Sequence, residues 1–167
     1  MRILRVVVTG NVGAGKTTLI RTISDTDVID TDKRATDETA KLKPQTTVAM
    51  DFGTLTLSNK DSLHLYGTPG QARFEFMRDI LIEKAQACIV LANATREADL
   101  LYARSVIKLI EGQLHIPYLI GLTHTDLQQD VLFDISALET KAPITFINAN
   151  DRISIKTALT TLLEQLQ

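Results

Sequence analysis

The stretch GNVGAGKTTL, Gly10 to Leu19, decides how this chain is read. It lies between an apolar run, ILRVVV (3–8), and a segment that places Leu19, Ile20 and Ile23 on one helical face. Gly10, Gly15, Lys16 and Thr17 fulfil the pattern G-x-x-x-x-G-K-[ST], a phosphate-binding loop when a strand precedes it and a helix follows. An accidental match is rare at average composition, roughly one chain of this length in a hundred or fewer. The backbone N–H groups of Asn11, Val12, Gly13, Ala14, Gly15, Lys16, Thr17 and Thr18, with the positive end of the helix behind them, suit an anion. Lys16 is placed to reach the β and γ phosphates of a nucleotide and the Thr17 hydroxyl to ligate Mg²⁺.

Around this loop the chain reads as one domain, 1–167, long enough to bury a full core, with 44% hydrophobic residues. Eighteen Lys and Arg against 20 Asp and Glu leave a net charge of -2, which gives no electrostatic ground for nucleic acid or an acidic membrane as partner. The single cysteine, Cys88 in ACIVLA (87–92), reads as a buried apolar residue and suits a reducing compartment. No apolar stretch approaches the ~20 residues of a bilayer span. The sequence shows no signal-peptide core, no glycine directly after the first methionine for myristoylation and no cysteine near the C-terminus for prenylation. The expectation is a cytoplasmic protein without lipid anchor or membrane span.

Four short apolar runs, ILRVVVT (3–9), ACIVLAN (87–93), IPYLIGLT (116–123) and PITFIN (143–148), read as strands covered on both faces. Helical patterns separate most of them. Leu100, Ala103, Ile107 and Ile110 share a face ahead of Gly112, a candidate stop, and Ile155, Leu159, Leu162 and Leu166 share another behind Asp151, a candidate N-terminal carboxylate. Such alternation predicts an α/β doubly wound, mostly parallel sheet. The segment TVAMDFGTLTLSNKDSLHLYG (47–67) instead reads as an antiparallel hairpin turning at SNKD, with a bulge at Gly53 where the apolar parity changes and His64 facing away from its leucine neighbours. Its DFG tripeptide resembles the metal-binding motif of kinases but sits in a strand without a catalytic loop after it, and reads as coincidence. Residues 25–46 are polar and aperiodic, either a solvated connection or a functional loop.

Three later stretches narrow the chemistry. In LYGTPGQARF (65–74), Gly70 offers an N–H to a γ-phosphate and Gln71 an amide that can orient water. THTD (123–126) follows an apolar strand, where open sheets bind ligands, and a carboxylate at Asp126 can accept from both N1–H and the 2-amino group of guanine, donors that adenine lacks. INAND (147–151) closes the last strand, and the Ala149 N–H can meet the guanine O6.

Taken in order, these motifs resemble a small Ras-like GTPase over nearly the whole chain. TTVAMDFG, GTPGQARFEFM and NAND are most similar to the prokaryotic branch, near MglA-like and other bacterial Ras-related proteins. The resemblance implies a P-loop NTPase G domain: a six-stranded mostly parallel sheet with one antiparallel edge strand and about five helices. It implies GTP and GDP as ligands with Mg²⁺, and residues 25–46 as a first switch ending at Thr47, with Thr46 as the fallback. Thr17 and Thr47 would hold the metal, Gly70 and Gln71 would open the second switch, and Lys16 and Gln71 would serve catalysis. Thr123, His124 and Asp126 with Asn148, Ala149 and Asn150 would hold the base. A protein effector is implied, and a roadblock-type protein that accelerates hydrolysis is a candidate partner.

The chain departs from that pattern at three places. Val12 stands where glycine is usual and crowds both the glutamine and an incoming arginine. Gly67 replaces an aspartate that supports Mg²⁺ through water, a loss that water or Asp37 would have to offset. His124 replaces a lysine stem that packs on the base. Arg34 and Arg73 are candidate arginines in cis. Together the departures motivate a second reading, a non-hydrolysing nucleotide-binding scaffold. A small-molecule phosphotransferase is disfavoured because no basic lid is evident.

Overall fold

A computed structural model describes residues 1–26, 29–30, 50–125 and 134–167, Ile29 and Asp30 by their strand pairing. One sheet runs in the order β2-β3-β4-β1-β5-β6-β7, built from β1 (Ile3–Gly10), β2 (Ile29–Asp30), β3 (Asp51–Thr56), β4 (Ser62–Gly67), β5 (Ala87–Asn93), β6 (Tyr118–Thr123) and β7 (Ile144–Phe146). Strands β4, β1, β5, β6 and β7 are parallel, and β3 pairs antiparallel with β4. The six strands of three or more residues form the expected sheet; the two-residue β2 adds a seventh outside β3, so the antiparallel strand is next to the edge rather than at it.

Among the described residues four α-helices flank the sheet: α1 (Lys16–Ile23), α2 (Glu75–Glu83), α3 (Glu97–Leu109) and α4 (Arg152–Glu164). Alternation along the parallel strands sends Val6, Val8, Leu65, Ile89 and Leu119 toward α1 and α4, where they meet Leu19, Ile20, Ile23, Ile155, Leu159 and Leu162. Val7, Cys88, Val90, Ile120 and Leu122 face the opposite layer with Ile82 of α2 and Leu100, Ala103, Val106 and Ile107 of α3. Burial on both faces is why these strands read as unbroken apolar runs. It also pushes the Cys88 thiol pKa up, leaving an inert core residue. β7 departs from that reading, because it is the last strand of the sheet and Ile144 and Phe146 are exposed, and so does the start of β1, where Ile3 is exposed.

Three local expectations are corrected. The β3–β4 register runs without interruption from Asp51 opposite Gly67 to Thr56 opposite Ser62, so Gly53 makes no bulge. Gly53 is demanded by α1 instead: a Cβ there would stand 2.8 Å from Ile20 Cγ2 and 2.9 Å from Ser24 Oγ. Asp51, Gly53 and Leu55 simply share the face toward α1, while Phe52 packs at a tilt against Tyr66 and T-shaped against His64 on the other. Gly112 does not stop α3; a π turn, Ile110–Leu114, carries the chain past it to His115, whose left-handed φ of 52° and N–H to Ile110 O (2.7 Å) end the run. Leu166 lies beyond the end of α4 and is part-exposed. Asp151 caps α4 as expected, accepting from the Ile153 N–H at 3.0 Å.

Among the described residues no helix is long and apolar enough to cross a membrane. All parallel strands end at one sheet edge, and because β3 runs the other way, its first residue, Asp51, arrives at that same edge.

Candidate functional site

The loop after β1 makes a tight turn, with the Ala14 N–H on Asn11 O (3.1 Å) and the Val12 N–H on the Asn11 side chain (2.9 Å). Gly13 and Gly15 adopt φ of 80° and 111°, a region that L side chains rarely enter, and this directs the loop into the N-terminus of α1. Lys16 folds back over the turn and donates from Nζ to the carbonyls of Gly10 (2.5 Å) and Asn11 (3.0 Å). Burial pushes its pKa down to about 8, against the pull of Asp99 and Asp51 and with a smaller push from Arg96.

Thr123, at the end of β6, donates its hydroxyl to Ala14 O at 2.8 Å and so ties the end of β6 to the loop after β1. His124 takes a left-handed φ of 63° and sets Nδ1 3.0 Å from the Thr123 oxygen. Asn148 accepts from the Asn150 N–H (3.0 Å), a turn that brings Ala149 within 3.5 Å of where a Cβ on Gly15 would lie; Thr22 Oγ1 donates to Ala149 O (2.7 Å) and pins it. Thr18 O accepts from the same Thr22 hydroxyl at 2.8 Å. On the other side, Gly70 lies on the loop: a Cβ there would be 2.8 Å from Val12 Cγ2 and 3.2 Å from Lys16 Nζ. The structure therefore brings together Gly10 to Thr18, Gly70, Thr123, His124 and Asn148 to Asn150. It does not turn Gln71 onto the loop, since Gln71 is exposed and its Oε1 accepts from Arg73 Nε at 2.9 Å, while the Arg73 guanidinium lies over the Phe74 ring. Arg34, Asp37, Thr46, Thr47 and Asp126 lie outside the described residues.

Two residues at this site went unread in the sequence. Asp51 opens β3 opposite Gly67, and its Oδ2 accepts from Thr17 Oγ1 at 2.5 Å. A Cβ on Gly67 would lie 3.4 Å from Asp51 Cβ and 3.6 Å from its Oδ2, so the Asp51 carboxyl stands beside the place a side chain at 67 would start from. The DFG tripeptide thus places an acid at the site after all, although not by the kinase arrangement. Arg96, which precedes α3, donates from Nη2 to Val12 O at 2.8 Å. An acid at a strand start opposite an acid-less glycine was the available signal for Asp51; an arginine in a polar loop offered none.

Hydroxyl and carboxylate oxygens are hard donors that suit Mg²⁺ rather than a soft metal, so Thr17 with Asp51 fits the ion that the loop motif implies.

Residues 22–166 match the family described as conserved hypothetical ATP binding protein, a span that begins after the phosphate loop. The chain is 34% identical over 128 residues to the uncharacterized protein MJ1339 of Methanocaldococcus jannaschii, covering 74% of this chain and 71% of that one. It is similar in fold to the G domain of the FeoB iron transporter of T. maritima, with a TM-score of 0.71 at 18% identity, over 99% of this chain and all of the other. The chain therefore belongs to the family of conserved hypothetical ATP binding proteins, built on the P-loop fold of a G domain.

Proposed function

We propose that this chain, a single G domain, is a guanine-nucleotide switch of Ras-like type that binds GTP and GDP with Mg²⁺. It hydrolyses GTP slowly and is accelerated by a protein partner. The observation that carries the reading is the convergence on one sheet edge of the phosphate loop, the Gly70 loop and the two base-side loops, with Ala149 packed beside Gly15. Guanine rather than adenine rests on THTD, whose Asp126 would pair with two donors that adenine lacks, and it departs from the ATP binding that the family's description names.

Thr17 and Asp51, with Thr47, would hold Mg²⁺, which when bound neutralises charge on the phosphates. Lys16 would exchange the Gly10 and Asn11 carbonyls for phosphate oxygens. Gln71 would leave Arg73 and orient a water for attack on the γ-phosphorus, the bond to the bridging oxygen breaking to give GDP and phosphate. A second reading, a non-hydrolysing scaffold, is favoured by the branched Val12 side chain, whose Cγ2 leaves no room for a Cβ at Gly70, and by Gln71 being engaged elsewhere. Calorimetric titration of nucleotide-stripped protein with GTP, GDP and ATP, with and without Mg²⁺, tests the switch. Magnesium-assisted binding of GTP with ATP inert is expected. Tighter binding of ATP refutes the role of Asp126, and GTP that persists for hours, unaffected by Gln71→Leu, favours the scaffold.

A further inference from the structure

The guanidinium of Arg96 is held over the phosphate loop by a buried device. Its Nη2 donates to Val12 O at 2.8 Å and to Asp99 Oδ2 at 3.0 Å. The Asp99 side chain is wholly buried and fixed from two more directions, by the Asn93 N–H (2.7 Å) and by Asn11 Nδ2 (3.3 Å). The Arg96 Nη1 lies 3.1 Å from the position of a Cβ on Gly13, so the guanidinium is packed tightly over the loop there. The Arg96 Nε is buried and lacks a partner among the described residues.

Lys16 and Arg96 thus divide three successive carbonyls of one turn, those of Gly10 and Asn11 for the lysine and that of Val12 for the arginine. A neutral carbonyl is a weaker partner for a cation than a phosphate oxygen, and a guanidinium binds such oxygens in pairs. Two cations stand over one turn, with Asp99 beneath the arginine and Asp51 held at Thr17, and each cation gives donors to neutral carbonyls that a phosphate oxygen could take.

We infer that Arg96 reads the terminal phosphates of the bound nucleoside triphosphate: it leaves Val12 O for a phosphate oxygen and supplies in cis the arginine that Val12, 58% exposed at the loop surface, hinders a partner from inserting. The inference rests on the nucleotide-binding reading but not on which purine is bound. Because Arg96 and Lys16 share adjacent carbonyls, they serve the same end of the phosphate chain, the end where charge develops during transfer.

The test is a titration of the full chain and of Arg96→Ala and Arg96→Lys with fluorescent di- and triphosphate nucleotides, followed by single-turnover hydrolysis at saturation. Loss of the guanidinium is expected to weaken the triphosphate about tenfold or more and to leave the diphosphate nearly unchanged, with hydrolysis slowed about 10²-fold or more, given that an arginine at this step is worth ~10³–10⁵. Arg96→Lys keeps the charge and loses the fork, so it should recover triphosphate binding and not the rate. Equal weakening of both nucleotides, or none, overturns the inference and leaves Arg96 a tether. A thermal melt separates either result from misfolding, with Arg96→Lys as the variant that preserves the fold if alanine does not. A parent chain that takes up no nucleotide overturns the functional reading as well, whereas uptake with unchanged discrimination in Arg96→Ala overturns only this inference.

Discussion

Replacing Asp51 tests whether an acid on one strand does the work of a missing acid on the next. Asp51 Oδ2 accepts from Thr17 Oγ1 at 2.5 Å, and its carboxyl fills the space beside Gly67. A hydrogen bond to a charged group contributes about 1.5–3 kcal/mol, and loss of a group that orients a metal ligand costs typically about 10–100-fold in metal affinity. Asp51 is part-exposed, which places the expectation toward the lower half of that range. Asp51→Asn keeps the shape and removes the charge, so the Mg²⁺ concentration needed to retain bound nucleotide should rise about tenfold or more. Gly67→Asp alone should not help, because its Cβ would sit 3.6 Å from Asp51 Oδ2 and 3.1 Å from Ile20 Cδ1, crowding a second carboxylate against the first. Asp51→Asn with Gly67→Asp should recover much of the loss, a non-additivity of about 1 kcal/mol or more. The assay is chelator-induced nucleotide release followed against free Mg²⁺. A magnesium titration unmoved by Asp51→Asn, under conditions where Thr17→Ala moves it, would show that the carboxylate only caps a hydroxyl.

Gly53→Ala places a methyl 2.8 Å from Ile20 Cγ2, so overpacking of about 1–3 kcal/mol is expected, seen as a melting temperature lower by roughly 2–4 °C per kcal/mol; an unchanged melt would mean that α1 yields freely. Lys16 has a folded-state pKa lowered from 10.5 to about 8, so the folded chain releases this proton before the unfolded one does, and stability without nucleotide should gain from this group as pH rises from 8 toward 10.5. Nucleotide affinity should fall over the same window, since phosphate prefers the charged ammonium, and denaturant melts of the parent and Lys16→Met across pH 7–10.5 check the first half. Val12→Gly removes the branched side chain that stands over Gly70 and should speed single-turnover hydrolysis about tenfold, equivalent to ~1.4 kcal/mol of barrier; a rate equal to the parent's would clear Val12 of the crowding assigned to it.

What the sequence revealed and what it concealed divide along a physical line. The phosphate loop was legible because its parts are contiguous: turn glycines, a lysine and a hydroxyl must follow one another for backbone amides to converge on one anion. The core strands were legible because burial on both faces leaves an unbroken apolar run, and β7, which fails, has no strand beyond it. The hairpin was legible as to pairing but not as to Gly53, since a parity change looks the same whether a strand bulges or a helix presses on it, and only the approach of Ile20 decides between them. Asp51 and Arg96 lay beyond reach for a stronger reason. On the proposed readings each would answer a departure in the motifs, the missing acid at 67 and the valine at 12, from a position set by the sheet rather than by the chain. Asp51 arrives because β3 is antiparallel and begins where β4 ends; Arg96 arrives from 84 residues away because β5 neighbours β1. A motif scan scores such departures as losses. A sheet that gathers strand ends at one edge lets the neighbours of a lost side chain supply its charge, so the motif alone cannot show whether the chemistry is lost.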